Sequence, residues 1–313
     1  MVSNLLVAFK AVAPVFVLIA VGMLVRRGGV ISEAENNKLN KMVFLVFFPP
    51  LMIHNMYNAH IAEVLNFRLI TFGVVMVLVA FVLTTWFVVK IEPEDKKRGA
   101  MIQAIYRSNF VILGIPIVEN IFPEADLGVT AMMIAFVVPI YNVLAVSILE
   151  VFRGGKISIS HLLSQIAKNP IIIGSLTGII ISATGIKLPY LVEDIIADMA
   201  GVTTPLALVI LGISFEFSQI KKCGKSLWIA VVGRLIVIPM VALTLGALMG
   251  FRGVEFVTLI AIFASPAAVS SYTMAVTMDS DSVLAGNAVI MTSLISSVTM
   301  FLWIFIFKSL GMF

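Results

Sequence analysis

Residues 106–120 read YRSNFVILGIPIVEN, and residues 263–275 read FASPAAVSSYTMA. Each run sets a proline and hydrogen-bonding side chains inside an otherwise apolar segment. Proline removes an internal helical hydrogen bond and clashes with the preceding turn. In lipid the freed carbonyls need partners, so such breaks belong where they face protein or a watery cavity. The expected reading is that Gly114 ends one helix and Pro116 restarts it, and that Ser265 caps a helix whose first residue is Pro266. Each break then leaves a helix N-terminus inside the membrane, with exposed N–H groups and partial positive charge. Two such N-termini meeting at a crossing suit an anion such as a carboxylate. The competing reading is a pair of proline kinks that only shape packing.

The side chains around the breaks extend this chemistry. Asn109 lies two turns before Pro116 and on the same side, and its amide both donates and accepts, which suits a carboxylate or a freed carbonyl. The alternative is an asparagine that satisfies a neighbouring helix. Ser108 and Asn109 also offer oxygens of the kind a sodium site uses. Ser270, Ser271 and Tyr272 supply hydroxyls after the second break, although membrane serines usually bond the backbone. Arg107 either draws in an anion or snorkels to the basic side of the membrane two turns away; snorkelling is the reading adopted. Arg234 has no acid close in sequence and is a second candidate for pairing or anion attraction. His54, Glu119, Glu150 and Glu216 read as interfacial, and His60 and His161 as loop residues. No span holds a central aspartate pair, a Ser/His pair, an H-E-x-x-H cluster or a Walker motif. Neither intramembrane hydrolysis nor ATP-driven transport by this chain alone fits, and no catalytic residue, metal ligand or cofactor is assigned. A sensor or a channel stays open as an alternative.

These groups must be held by a membrane scaffold. Hydrophobic residues are 60% of the 313 and charged residues 12%, with mean hydropathy +1.10, too little charge to solvate a soluble domain of this length. The expected fold class is an all-α polytopic membrane protein. Ten spans are read at about 5–25, 37–56, 67–89, 99–121, 127–152, 170–184, 191–215, 227–249, 255–278 and 283–307. The first lacks a basic leader and an A-x-A site and reads as a retained span. Cys223 is the single cysteine, so no intrachain disulfide forms.

Basic residues sort the loops. Fourteen (Arg26, Arg27, Lys38, Lys41, Lys90, Lys96, Lys97, Arg98, Arg153, Lys156, Lys168, Lys221, Lys222 and Lys225) fall on one side, and five (Lys10, Arg68, Lys187, Arg252 and Lys308) on the side of both termini. The positive-inside rule puts both termini on the non-cytoplasmic side of the cytoplasmic membrane. The net charge of +4 is thus a topology signal and not a sign of nucleic-acid binding. Pro14, Gly22 and Pro49 match Pro170, Gly178 and Pro205 at a constant offset of 156. Five spans per half then make an inverted repeat: residues 1–153, a polar cytoplasmic linker at 154–169, and residues 170–313. The alternative is coincidence, since Pro and Gly are common in membrane helices. In the repeat the fourth and ninth spans correspond, so their breaks correspond.

Ten spans in a five-plus-five repeat, with S-N-F-x-x-x-G-I-P at 108–116, resemble the auxin efflux carrier family. That family is similar in fold to bile-acid/sodium symporters and to sodium/proton antiporters with crossed broken helices. The resemblance implies a secondary carrier of organic anions, such as mono- or dicarboxylates or auxin-like acids. It implies that spans one, two, six and seven form a scaffold against which the others move in elevator fashion. It places the substrate site at Asn109 and at the crossing of Pro116 with Pro266. H+ or Na+ coupling and a homodimer in the membrane lipid are further expectations of the resemblance. A sodium-coupled symporter of a larger amphipathic anion is the alternative carrier. One departure matters: Ala267, Ala268, Val269, Ser270 and Ser271 stand where plant relatives carry an amide.

Overall fold

The computed structural model describes residues 2–58, 65–124, 127–154, 159–215 and 217–313. His60, Lys156 and Glu216 lie outside them. The described chain is all-α. Its elements are α1 (Val2–Arg27), α2 (Glu33–Met42), a π-helical turn (Val43–Phe47), α3 (Phe48–Tyr57), α4 (Phe67–Ile91), α5 (Asp95–Tyr106), α6 (Phe110–Ile121) and α7 (Gly128–Val151). There follow α8 (Ile159–Lys168), α9 (Pro170–Thr184), α10 (Tyr190–Ser214), α11 (Phe217–Val232), a second π-helical turn (Gly233–Val237), α12 (Ile238–Leu248), α13 (Gly253–Ala264), α14 (Val269–Thr277) and α15 (Ser282–Ser309).

By length and composition, α4, α7, α10, the run Ser218–Leu248 and α15 can each cross a membrane, and α8 with α9 pass together as a bent pair. The chain is a multi-pass membrane protein. The apolar helices α6 and α13 have 12 residues each. At about 1.5 Å per residue each reaches only about 18 Å, well short of the hydrocarbon core. Each is joined to a further helix across a short extended break, α6 to the preceding α5 and α13 to the following α14.

The stretch expected as a polar linker contains α8, bent by 62° from α9, so His161 is helical and not in a loop. Asn169 makes the corner: its Oδ1 accepts from the Ile171 N–H at 3.0 Å, and Pro170 takes the first helical position. No residue of α8 is buried, and Ile159 and Leu163 face outward.

Packing divides the helices into two groups. In the first, α1 lies along α10 and α3 along α9. Glycines permit both contacts. A Cβ on Gly22 would sit 2.1 Å from the Val209 carbonyl oxygen, and one on Gly178 would sit 2.8 Å from that of Ile53. Backbones this close are the mark of small-residue packing in membranes. The second group joins α5 to α4, α7, α11 and α15, and α13 to α6, α12 and α15. The two groups meet most extensively where α1 lies against α15, and also where α1 touches α6, α14 touches α2 and α10, and α7 touches α3 and α9.

Candidate functional site

Two broken spans cross in the second group. After Tyr106 the chain runs extended through Arg107 (φ −92°, ψ 120°), and Asn109 caps α6. After Ala264 it runs extended through Ser265 (φ −62°, ψ 152°), and Ala268 caps α14. The two extended pieces pair antiparallel at Ser108 and Ala267. The Asn109 N–H donates to the Pro266 carbonyl at 2.8 Å and the Ala268 N–H to the Arg107 carbonyl at 3.4 Å. The Ala267 N–H finds the Thr292 hydroxyl of α15 at 3.1 Å. Backbone groups released by each break are thus satisfied largely by the other, as an apolar setting requires.

The carbonyl ends of α5 and α13 are met by Arg234, which is fully buried in the second π-helical turn. Its Nε donates to Ser265 O at 2.9 Å. Its Nη1 donates to Ile105 O at 3.2 Å and Tyr106 O at 3.0 Å. Its Nη2 donates to Ile262 O at 3.2 Å and also to Phe263 O. A guanidinium has five N–H donors, so this one is fully committed. Its charge also faces the negative ends of two helix dipoles.

The opposite, N-terminal ends of α6 and α14 border a small cavity of about 40 Å³. The N–H groups of Phe110, Val111, Val269 and Ser270 have no backbone partner among the described residues. Asn109 lines the cavity, is only 6% exposed, and its side-chain amide makes no hydrogen bond among the described residues. Arg107 lines it too and is 4% exposed. Its Nη1 contacts Gln103 Oε1 at 3.3 Å and Met274 Sδ at 2.8 Å, and its Nη2 donates to Asn142 Oδ1 at 2.7 Å. No carboxylate pairs with Arg107 among the described residues. Tyr141 and Asn142 come from α7, and the Ser108 hydroxyl lies 3.4 Å from the Tyr141 hydroxyl. The facing wall comes from the first group and is apolar apart from Thr204 of α10: Phe48, Leu51 and Met52 of α3, Ile171 of α9 and Ala207 of α10.

A second, polar recess of about 230 Å³ opens at the end of the bundle that carries Arg26, Glu33 and Ser282. At its base Asn36 Nδ2 donates to the Ser214 hydroxyl at 2.7 Å, and Ser214 in turn bonds the Tyr272 hydroxyl. Asn40 Nδ2 reaches the Thr273 carbonyl at 3.2 Å. These contacts tie α2 and α10 to α14 across the two groups.

Several expectations need correction. The break in the fourth span is at 107–109, seven residues before Pro116, which sits inside α6. Ser and Asn side chains compete for the backbone and favour caps, so Ser108-Asn109 ends one helix and starts the next, while Gly114 packs on the Phe110 ring. Ser265 closes α13 instead of opening α14, and its hydroxyl returns to Ala261 O at 2.5 Å. Pro266 contributes a carbonyl to the crossing, not a helix start. Arg107 does not snorkel; it stays buried because polar groups of α5 and α7 receive it. Arg234 is paired with carbonyls, leaving it no donor for a free anion. Ser108, Asn109, Ser270 and Arg107 come together at the cavity, whereas Gly114, Pro116, Ser265, Pro266 and Ser271 do not line it. His54 lies outside it, beside Asn58. Tyr141 and Asn142 were missed, although Asn142 is the lone amide in a long apolar span and follows Pro139 by three residues.

The family model described as Membrane transport protein matches residues 7–304. An uncharacterized transporter of Methanocaldococcus jannaschii is 25% identical over 312 residues, covering 95% of this chain and 98% of the relative. An uncharacterized transporter of Methanothermobacter thermautotrophicus is 22% identical over 307 residues, covering 94% and 96%.

Proposed function

Because the chain belongs to the membrane transport protein family, we propose that it is a secondary carrier that binds a small organic anion at the crossing. The observation that carries this reading is Arg107: a buried cation with no acid beside it, lining the same cavity as the unengaged Asn109 amide. Such a charge is costly in a membrane unless an anion or a polar network offsets it. Here the network is neutral throughout, and the first-turn N–H groups of α6 and α14 add positive potential. In this scheme Arg107 supplies the counter-charge, Asn109 and the helix N-termini hold the carboxylate oxygens, and the Ser108, Tyr141 and Ser270 hydroxyls complete the polar wall.

The opposite wall sharpens the substrate class. Phe48, Leu51, Met52, Ile171 and Ala207 offer apolar contact, and beside them the neutral Thr204 hydroxyl is a weak partner for a second charge. A monocarboxylate with an apolar body, of the auxin-like kind, therefore fits better than malonate or malate, whose second carboxylate would be stranded there. The cavity has room for a few waters, so the wall must recede to admit a substrate. That supports alternating access, with α1–α3, α9 and α10 as scaffold and the crossing carried by the remaining helices.

The finer architecture belongs to the same proposal: ten spans in two inverted halves, both termini on the non-cytoplasmic side, H+ or Na+ as coupling ion, and a homodimer. Gly22 and Gly178, related by the offset of 156, make equivalent backbone contacts, α1 on α10 and α9 on α3. That equivalence supports the repeat.

The test is equilibrium binding of labelled indole-acetate to purified protein, competed by malonate and malate, with Asn109→Ala alongside. Hydrogen bonds to a charged group are worth about 1.5–3 kcal/mol, so the variant should bind about 10- to 150-fold more weakly. Malonate competing better than the monocarboxylate would overturn the substrate class. Equal binding by the variant would overturn the site.

A further inference from the structure

A recess of about 740 Å³ lies on the outer face of the second group, between α4 and α11–α12. Its lining is apolar except at one end. There Trp86 and Trp228 stand about half exposed and Lys225 closes the rim. Lys90 joins them, with its Nζ 3.7 Å from the centre of the Trp86 ring. Two of the chain's three tryptophans thus mark one end of the groove, the placement expected at a membrane–water boundary.

The groove has the length of one leaflet. From Trp86 it runs along α4 to Met76, ten residues away, or about 15 Å of helix, half the thickness of a hydrocarbon core of about 30 Å. Its floor is Ile105 and Phe263, the residues whose carbonyls Arg234 holds. The floor is reached because residue 233 is glycine: a Cβ there would stand 3.1 Å from Ile105 Cγ2.

The cations at the rim have no paired acid. Neither Lys90 nor Lys225 forms an ion pair among the described residues. The nearby Glu92 carboxylate keeps its charge but turns its oxygens to the Ser226 hydroxyl at 2.6 Å and the Glu94 N–H at 3.2 Å. Two cations and two interfacial indoles at the mouth of a leaflet-long apolar groove match one ligand chemistry, an acidic headgroup on hydrocarbon tails.

We propose that this groove holds an anionic phospholipid, with its phosphate between Lys90 and Lys225 and its tails against Ile105 and Phe263. The lipid then backs the outer side of the crossing that Arg234 clamps. The site is separate from the anion cavity and does not depend on the chain being a carrier of any particular substrate.

Native mass spectrometry tests it. Full-length protein is exchanged into detergent with equal phosphatidylglycerol and phosphatidylcholine, beside the double variant Lys90→Gln/Lys225→Gln and the groove-filling Leu83→Trp. Wild type should retain one phosphatidylglycerol per chain in preference to phosphatidylcholine. The double variant should lose about thirtyfold of that preference, the equivalent of about 1 kcal/mol per lysine. Leu83→Trp should retain less of either lipid. Equal retention of both lipids by wild type, or a preference that survives the double substitution, would refute the proposal. So would a two-chain species that carries no lipid and is lost in Leu83→Trp, since the groove would then be a seam between copies.

Discussion

Replacing Arg234 by methionine removes five donors from the crossing at once. The carbonyls of Ile105, Tyr106, Ile262, Phe263 and Ser265 all lose their guanidinium contact. A buried polar group left unpaired costs about 1–3 kcal/mol, so the low end for five is about 5 kcal/mol. The guanidinium's own desolvation cost disappears with it and offsets part of this. The net loss should fall at about 3–5 kcal/mol, as when one partner of a buried ionic network is deleted. Lysine keeps the charge but has three donors for five carbonyls, so Arg234→Lys should cost about 2 kcal/mol. For a chain of this size about 2 °C of melting temperature goes with each kcal/mol. Arg234→Lys should therefore melt about 4 °C below wild type and Arg234→Met about 6–10 °C below. Tryptophan fluorescence during a thermal ramp in detergent reads this directly, because Trp303 Nε1 donates to Leu235 O at 2.9 Å beside the clamp. A methionine variant that melts with wild type would refute the clamp. If that variant also lost substrate binding, Arg234 would be an anion attractor after all.

Other substitutions probe the parts around the crossing. Thr292→Val strands the Ala267 N–H and should cost about 1–3 kcal/mol, lowering the melting temperature by several degrees without moving substrate specificity. Gly22→Val forces a side chain into the Val209 carbonyl and should abolish recovery of folded protein, checked by size-exclusion profile. Tyr272→Phe removes the link from α14 to Ser214. If that bond of about 1 kcal/mol holds the two groups together, a Ser270→Cys reporter in a Cys223→Ser background should react about fivefold faster with a membrane-impermeant thiol reagent.

The parts of this molecule legible in its sequence are those written in strong local chemistry. Ser265-Pro266 marks a break because proline has no N–H to give, although whether serine closed the first helix or opened the second depends on its hydroxyl choosing Ala261. The fourth span shows the opposite failure. Its proline drew attention seven residues past the true break, where the cue was the milder capping preference of Ser108-Asn109. Asn109 still reached the cavity, because its own backbone is the helix start. The roles of Arg107 and Arg234 were not legible, since the partners that fix them include groups distant in sequence: Asn142 is 35 residues from Arg107, and Ser265 is 31 from Arg234. A buried arginine whose partners are carbonyls leaves no complementary acid in the sequence to find. Gly22 and Gly178 are visible in the sequence as an offset match, but the close backbone approach at each depends on the neighbouring helix and is legible only in the structure.

The central claim is that the crossing at Asn109 carries an organic anion across the membrane. Uptake of labelled indole-acetate and malonate into proteoliposomes tests it most directly, wild type beside an Asn109→Ala variant of unchanged melting temperature, with and without a pH gradient and with sodium or potassium outside. The account predicts saturable uptake of the monocarboxylate by wild type, driven by one of these gradients, and its loss in the variant. Full-rate uptake by Asn109→Ala, or no uptake of either acid under any gradient, would contradict it.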